Sequence, residues 1–350
     1  MQGRNDAKAL PSMVSLSSGG LDVWPLLLNA EKYTLKKGRD GSPVANAGLV
    51  GVRVLGYLLI ELWEKRNRLP GNPYLDVLKR IQACKSIRDL CALGVDFRGN
   101  LLQLYSEQSC PHFLSRAWQR DPPPFEQVVA NAFDEEEAED RGTMSTQILA
   151  RDGFRCVLTG LADVTSILAG FVDLPPSGRV IPSTSTQCTH ILSVINEIGD
   201  DCVLPDLSWL GIEKEINEIT GGEAGGCCNT ITMSIQLHLQ FNEFELWLEE
   251  VPGQANTYQV SSCYELVLRQ DVFHGRPPPA FEMTIDPRFK QECDAQGIPY
   301  SLPDPRLIAL HGVIARVGRK SGAAEQQDAI NRVLEGGGSI SSRDYSNYTA

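Results

Sequence analysis

The chain has 350 residues, 42% hydrophobic and 22% charged. That is the balance of a globular protein with material for one large domain or two to three small ones. Its formal net charge of -12, from 44 acidic against 32 basic side chains, argues against a protein that coats nucleic acid through clustered Lys and Arg, while leaving room for a local basic surface. Ten cysteines with no C-x-x-C pair exclude a disulfide scaffold and a two-knuckle zinc site, and read as small buried hydrophobes in a reducing compartment.

Residues 1–46 combine a polar start with Val23-Trp24-Pro25-Leu26-Leu27-Leu28 and the turn-rich Gly38-Arg39-Asp40-Gly41-Ser42-Pro43, which predicts irregular structure with one or two short strands. No secretory h-region stands at the start, and the apolar stretch Leu49 to Leu62 is interrupted by Arg53 and Glu61 and is too short to span a bilayer. An intracellular protein, nuclear or cytoplasmic and not on a membrane, is the expectation. From 47 to 118 the pattern is helical. Leu49, Val52, Leu55, Leu59 and Leu62 recur at three- and four-residue steps, and Pro70-Gly71-Asn72-Pro73 breaks the helix. Helices from Tyr74 to Cys84, from Ser86 to Leu93 with Gly94 as its stop, and from Gly99 to Gln108 follow.

A Pro-rich and acidic linker spans 119–142, with Asp121-Pro122-Pro123-Pro124 and the run Asp134 to Asp140. The segment 143–275 carries the chemistry. Residues 276–335 form a helical extension, with Leu307, Leu310, Ile314 and Val317 in helical step, and the Gly- and Ser-rich 336–350 reads as a disordered tail.

Three pieces of the central segment belong together. In Ala150 to Gly160, Arg151-Asp152-Gly153 makes a turn and Cys156-Val157-Leu158-Thr159-Gly160 a short strand closed by glycine. Thr186-Gln187-Cys188-Thr189-His190-Ile191 reads as a strand around one histidine. Asn229 is followed by the alternating strand Thr230-Ile231-Thr232-Met233, a capping Ser234, and a helix whose core stripe is Leu237, Phe241, Phe244 and Leu248. One residue along runs a parallel stripe of His238, Asn242, Glu245 and Glu249. His238 and Asn242 thus stand one helical turn apart on one edge, as two ligands of one ion would.

These stretches, with Thr189-His190-Ile191-Leu192-Ser193, Leu237-His238 through Phe241 to Glu245-Leu246-Trp247, Val251 to Tyr258, Leu307 to His311 and Ser321 to Glu325, resemble the His-Asn-His (HNH) nuclease-domain proteins abundant in mushroom-forming fungi, patchily from about residue 50 to 325. The resemblance implies an α+β fold with a ββα-metal (His-Me finger) core, a helical N-terminal unit and a C-terminal helical extension. It implies a divalent cation (Mg²⁺, Mn²⁺ or Zn²⁺) and hydrolysis of nucleic-acid phosphodiesters, DNA first. His190 would be the general base, at an unperturbed pKa of about 6.5. Asn229 would fix the connecting loop and the His190 ring, and His238 with Asn242 would hold the cation.

Two positions depart from the family pattern: Thr189 stands where many such nucleases carry an acidic or histidine ligand, and Asn242 where the helix usually carries Asp. Glu223, Glu243 and Glu245 are the nearby carboxylates. The contrasting expectation, from a different class, is a degenerate nuclease fold kept as a nucleic-acid or protein interaction module.

Overall fold

The computed structural model describes residues 7–37, 46–106, 124–130, 141–173, 181–192, 195–196, 202–221, 226–264, 268 and 279–335. The chain divides into two units: residues 1–108, 205–216 and 309–350 form one, and residues 109–204 and 217–308 the other. The class is α+β, with many helices and only small sheets.

The first unit is helical: α1 (Ser18–Lys37), α2 (Ala47–Glu64), α3 (Pro73–Ala83), α4 (Ile87–Ser106), and the C-terminal helices α11 (Pro305–Ser321, from Ala309 onward) and α12 (Ala323–Glu335). Asn46 caps α2 by accepting from the Leu49 amide, and α2 is buried nearly all round, as a helix with few polar positions must be. Its two buried charges are both answered. Arg53 meets Glu31 at 2.6 Å, and Glu61 receives Arg316 Nε and Lys320 Nζ, each at 2.6 Å.

Three differences from the sequence pattern have clear causes. Residues 18–37 form one 20-residue helix rather than short strands. Pro25 masks the helical step of the buried Val23, Trp24, Leu27, Ala30, Glu31 and Thr34. A proline inside a helix costs about 3 kcal/mol, and full burial of three large apolar side chains, each contributing about 1.5–3 kcal/mol, outweighs it. Gly94 does not stop a helix, because α4 runs through it. A Cβ at Gly94 would stand 2.6 Å from the Gly51 carbonyl carbon, and one at Gly51 2.4 Å from that of Gly94, so the two glycines let α2 and α4 touch backbone to backbone. The C-terminal pattern is divided at Gly322, whose φ of +91° ends α11 in a conformation that glycine adopts readily.

The second unit holds α5 (Phe125–Ala130), α6 (Arg141–Arg151), α7 (Val164–Leu168), α9 (Ile235–Asn242) and α10 (Pro287–Gln296) with several short sheets. Strand β1 (Ala162–Asp163) pairs parallel to β2 (Ser183–Thr184), and β3 (Thr186–His190) pairs antiparallel to β6 (Thr230–Ser234) over all five residues, from Thr186 opposite Ser234 to His190 opposite Thr230. Between His190 and Asn229 lie β4 (Ile195–Asn196), β5 (Cys202–Val203) and α8 (Glu213–Thr220). The last sheet is β7 (Leu246–Glu250), β8 (Thr257–Ser262) and β9 (Phe281–Glu282), all antiparallel.

Cys156 to Gly160 is a tight turn rather than a strand: the Gly160 amide donates to the Cys156 carbonyl, and the Cys156 amide to that of Leu161. Phe154 takes a left-handed φ of +57°, which costs an L-residue about 1–2 kcal/mol. Its fully buried ring, stacked on Phe171 at 5.0 Å within a core that includes Leu149, Phe289 and Cys293, offsets that. The expected helix beyond Asn242 is also cut short. Phe244 turns left-handed (φ +51°) and β7 begins at Leu246, so Glu245 and Glu249 do not share a helical edge with His238. The acidic run 134–140 and the 336–350 tail lie outside the described residues.

Candidate functional site

The strands β3 and β6 and the helix α9 are set up by short-range chemistry. β6 alternates Thr230, Ile231, Thr232 and Met233, all buried, and Ser234 ends it by accepting from the Leu237 amide at 3.4 Å, which starts α9. The opposite side of β6 is gripped by the end of α6. The Asp152 carboxylate accepts from the Thr232 amide at 2.8 Å, and the Val157 amide donates to the Thr232 carbonyl at 2.9 Å.

Arg151 stands behind this grip and is fully buried. It forks onto Asp152 with Nε at 2.7 Å and Nη2 at 3.1 Å, and donates to the carbonyls of Cys227 at 2.7 Å and Thr230 at 2.8 Å. Burial opposes its charge, but the charge and hydrogen bonds of Asp152 prevail, so the guanidinium pKa is raised. The sequence marks Arg151-Asp152-Gly153 only as a turn. An Arg-Asp pair next to a helix end is too common a pattern to announce a clamp.

A second buried acid ties the other end of β3. Asp163 accepts from the Thr186 hydroxyl at 2.8 Å and the Thr186 amide at 3.2 Å, from the Ser166 amide and hydroxyl at 2.8 Å each, and from the Thr165 hydroxyl. It caps α7 and anchors the first residue of β3 together.

Asn229 is fully buried just before β6. Its Oδ1 accepts from the Leu192 amide at 2.9 Å, its Nδ2 donates to the Leu192 carbonyl at 3.1 Å, and its backbone carbonyl accepts from the Ile191 amide at 2.8 Å. An amide side chain presents one acceptor and one donor side by side, the complement of a peptide group. Asn229 therefore extends the β3–β6 ladder past its last backbone pair and fixes the chain that leaves His190.

His238, 6% exposed, is held at both ring nitrogens. Thr189 Oγ1 lies 2.9 Å from Nδ1, and Asn242 Nδ2 lies 3.1 Å from Nε2. With the Asn242 amide donating, Nε2 is the bare nitrogen and Nδ1 carries the proton that Thr189 accepts, which is one tautomer of a neutral imidazole. His190 is the last residue of β3, half-buried. Side chains alternate along a strand, so His190 points to the side of the ladder opposite Thr189, whereas His238 is on the Thr189 side.

Of the four residues singled out by the sequence, His238 is joined directly to Asn242 and, through Thr189, to β3. Asn229 holds the end of β3, and His190 faces the other way. Among the described residues no group of three or more His, Cys, Asp or Glu side chains could hold a metal ion. Glu223 lies outside the described residues. A divalent cation needs carboxylates or bare imidazole nitrogens. The one bare nitrogen here, His238 Nε2, already accepts from the Asn242 amide, and the groups at the ring are a neutral hydroxyl and a neutral amide, so these residues do not fit the cation that the resemblance implies. No disulfide joins the eight cysteines whose side chains are described, and among the described residues no helix is long and apolar enough to cross a membrane.

The second unit also has a cleft of about 490 Å³ bordered by Phe125, Glu126, Phe171, Arg288 and Glu292. None of His190, Asn229, His238 and Asn242 lines it. Comparison with known proteins found no match to a family model, to a curated protein or to a solved structure.

Proposed function

We propose that the protein acts as a binding module built on a His-Asn-His-type strand–strand–helix unit that has given up its metal. The observation that carries this reading is the closure of His238. Thr189 and Asn242, the two positions that depart from the nuclease pattern, are the two groups that bond its ring nitrogens. A neutral hydroxyl and a neutral amide satisfy the imidazole and supply no charge to attract a cation, so a ligand position becomes a structural hydrogen-bond relay. The net charge of -12 favours a protein partner over a phosphate backbone.

A second reading, a metal-dependent endonuclease with His190 as general base, is favoured by one observation. Asn229 holds Leu192 and the end of β3 through three hydrogen bonds, as the central asparagine of such a site would. Nicking of supercoiled plasmid with Mg²⁺, Mn²⁺ or Zn²⁺ separates the two readings. The binding-module reading predicts no metal-dependent nicking above that of the His190→Ala protein. Metal-dependent nicking that His190→Ala abolishes would overturn it in favour of the nuclease.

A further inference from the structure

The outward side of α1 carries an apolar stripe that no other described element covers. Leu21, Pro25, Leu28, Lys32 and Leu35 follow one another at four- and three-residue steps, the spacing of one helix edge. Leu21 is 48% and Leu35 46% exposed, Leu28 is half-buried, and Pro25 and Lys32 are exposed. Single exposed leucines are ordinary, but three in register along four turns, with only the aliphatic stem of Lys32 between them, make a continuous strip. The inner side of α1, with Val23, Trp24, Leu27 and Ala30, is already buried in its own unit.

Charge is distributed unevenly along the same edge. Asp22 flanks the stripe at the N-terminal end, and Lys32 and Lys36 lie at the C-terminal end. All three are exposed, and none makes an ion pair among the described residues. This order is self-complementary only when the helix meets its own copy reversed. A two-fold axis passing by Leu28 sets Leu28 against Leu28 of the second copy and Leu21 against its Leu35. It also brings Asp22, which shares a flank of the stripe with Lys36, beside Lys36 of the second copy, and the relation repeats once by symmetry. A parallel pairing would leave Asp22 and Lys36 at opposite ends of the contact, so neither would meet the opposite charge. We infer that the α1 stripe is an isologous interface through which a second copy of this chain docks antiparallel to the first.

The contact is small. One helix pair of this length buries less than the roughly 1,200 Å² of a stable interface, so the dimer forms reversibly as concentration rises. Sedimentation equilibrium of the full chain, from low micromolar to several hundred micromolar, tests it. The weight-average mass is expected to climb from the monomer's 38.5 kDa towards twice that value.

Leu21→Glu with Leu35→Glu should hold the protein at the monomer mass throughout. Asp22→Lys should weaken association by about tenfold or more, through like charges facing across the axis, and adding Lys36→Asp to it should restore the original affinity. All these positions are exposed, so far-UV circular dichroism should not change. A monomer at every concentration, a dimer indifferent to the leucine substitutions, or a failure of the charge exchange to restore association would each overturn the inference. Because the charge exchange restores rather than removes, it stays informative even if a single variant folds poorly.

Discussion

Asn229 and Leu192, 37 positions apart, are joined by a reciprocal pair of hydrogen bonds, Oδ1 to the Leu192 amide at 2.9 Å and Nδ2 to its carbonyl at 3.1 Å. The pair does the work of one further rung of the β3–β6 ladder, from inside a fully buried position. Replacing Asn229 by Ala leaves two buried backbone groups without partners, at about 1–3 kcal/mol each. Asn229→Asp keeps the acceptor and sets a carboxylate oxygen against the Leu192 carbonyl, so it should be no milder. Urea unfolding of the full chain should show a loss of about 2–6 kcal/mol for Ala; a change within error would mean that the rung is dispensable.

The Arg151–Asp152 pair offers a sharper asymmetry. Removing one member strands a buried charge and costs about 3–5 kcal/mol. Arg151→Met should therefore unfold the second unit at lower denaturant than Asn229→Ala does, since it also strands the carbonyls of Cys227 and Thr230. Asp152→Asn keeps the oxygen that meets the Thr232 amide and should cost less than Asp152→Ala. Equal losses for Asn and Ala would contradict the role given to that hydrogen bond.

In the first unit the contact of Gly51 with Gly94 forbids any side chain. Gly51→Ala places a methyl carbon about 2.4 Å from a backbone atom of the facing helix, so the helices must separate, and overpacking of this kind costs about 1–3 kcal/mol or more. Gly99→Ala is the control. It lies on the same α4 with nothing within 4 Å of the added carbon, and should stabilise slightly by helix propensity. Thermal melts that rank Gly51→Ala below wild type and Gly99→Ala at or above it are expected.

Tyr57 gives a pH dependence. Burial, the largest cause, pushes its hydroxyl up from 10.0 to about 12, and its O–H donates to the Ala9 carbonyl at 2.8 Å. The folded state keeps the proton where the unfolded chain has lost it. The associated stability is thus complete below pH 10 and is lost as pH rises from about 10 to about 12. Tyr57→Phe lacks both the hydrogen bond and the titration. It should be less stable than wild type by about 1 kcal/mol at neutral pH, and the gap should close as pH climbs through that window. A constant gap would show that the hydroxyl does not titrate as described.

Much of the second unit was legible in the residues. The alternation of Thr230 to Met233, the cap at Ser234 and the helical step from Leu237 to Phe241 lie where β6 and α9 form. The pairing of Thr189 with His238 was not legible, because 49 positions and a long insertion separate them and a threonine before a histidine has no distinctive pattern. Continued apolar spacing places Glu245 and Glu249 on the helix and conceals a left-handed Phe244. At the N-terminus Pro25 concealed a 20-residue helix, since the proline rule weighs local cost and not the burial of Trp24 and Leu27. Gly94 has the pattern of a helix stop, whereas its missing side chain serves a neighbour.

The measurement that reaches furthest is the ¹⁵N spectrum of the His238 ring, recorded by long-range ¹H–¹⁵N correlation on the labelled full chain while Zn²⁺ is added. A relay from Thr189 to Asn242 predicts a protonated Nδ1 and a bare, hydrogen-bonded Nε2, with neither shift moved by the metal in wild type. Loss or saturable displacement of the Nε2 resonance on adding Zn²⁺ would show instead that His238 remains a metal ligand.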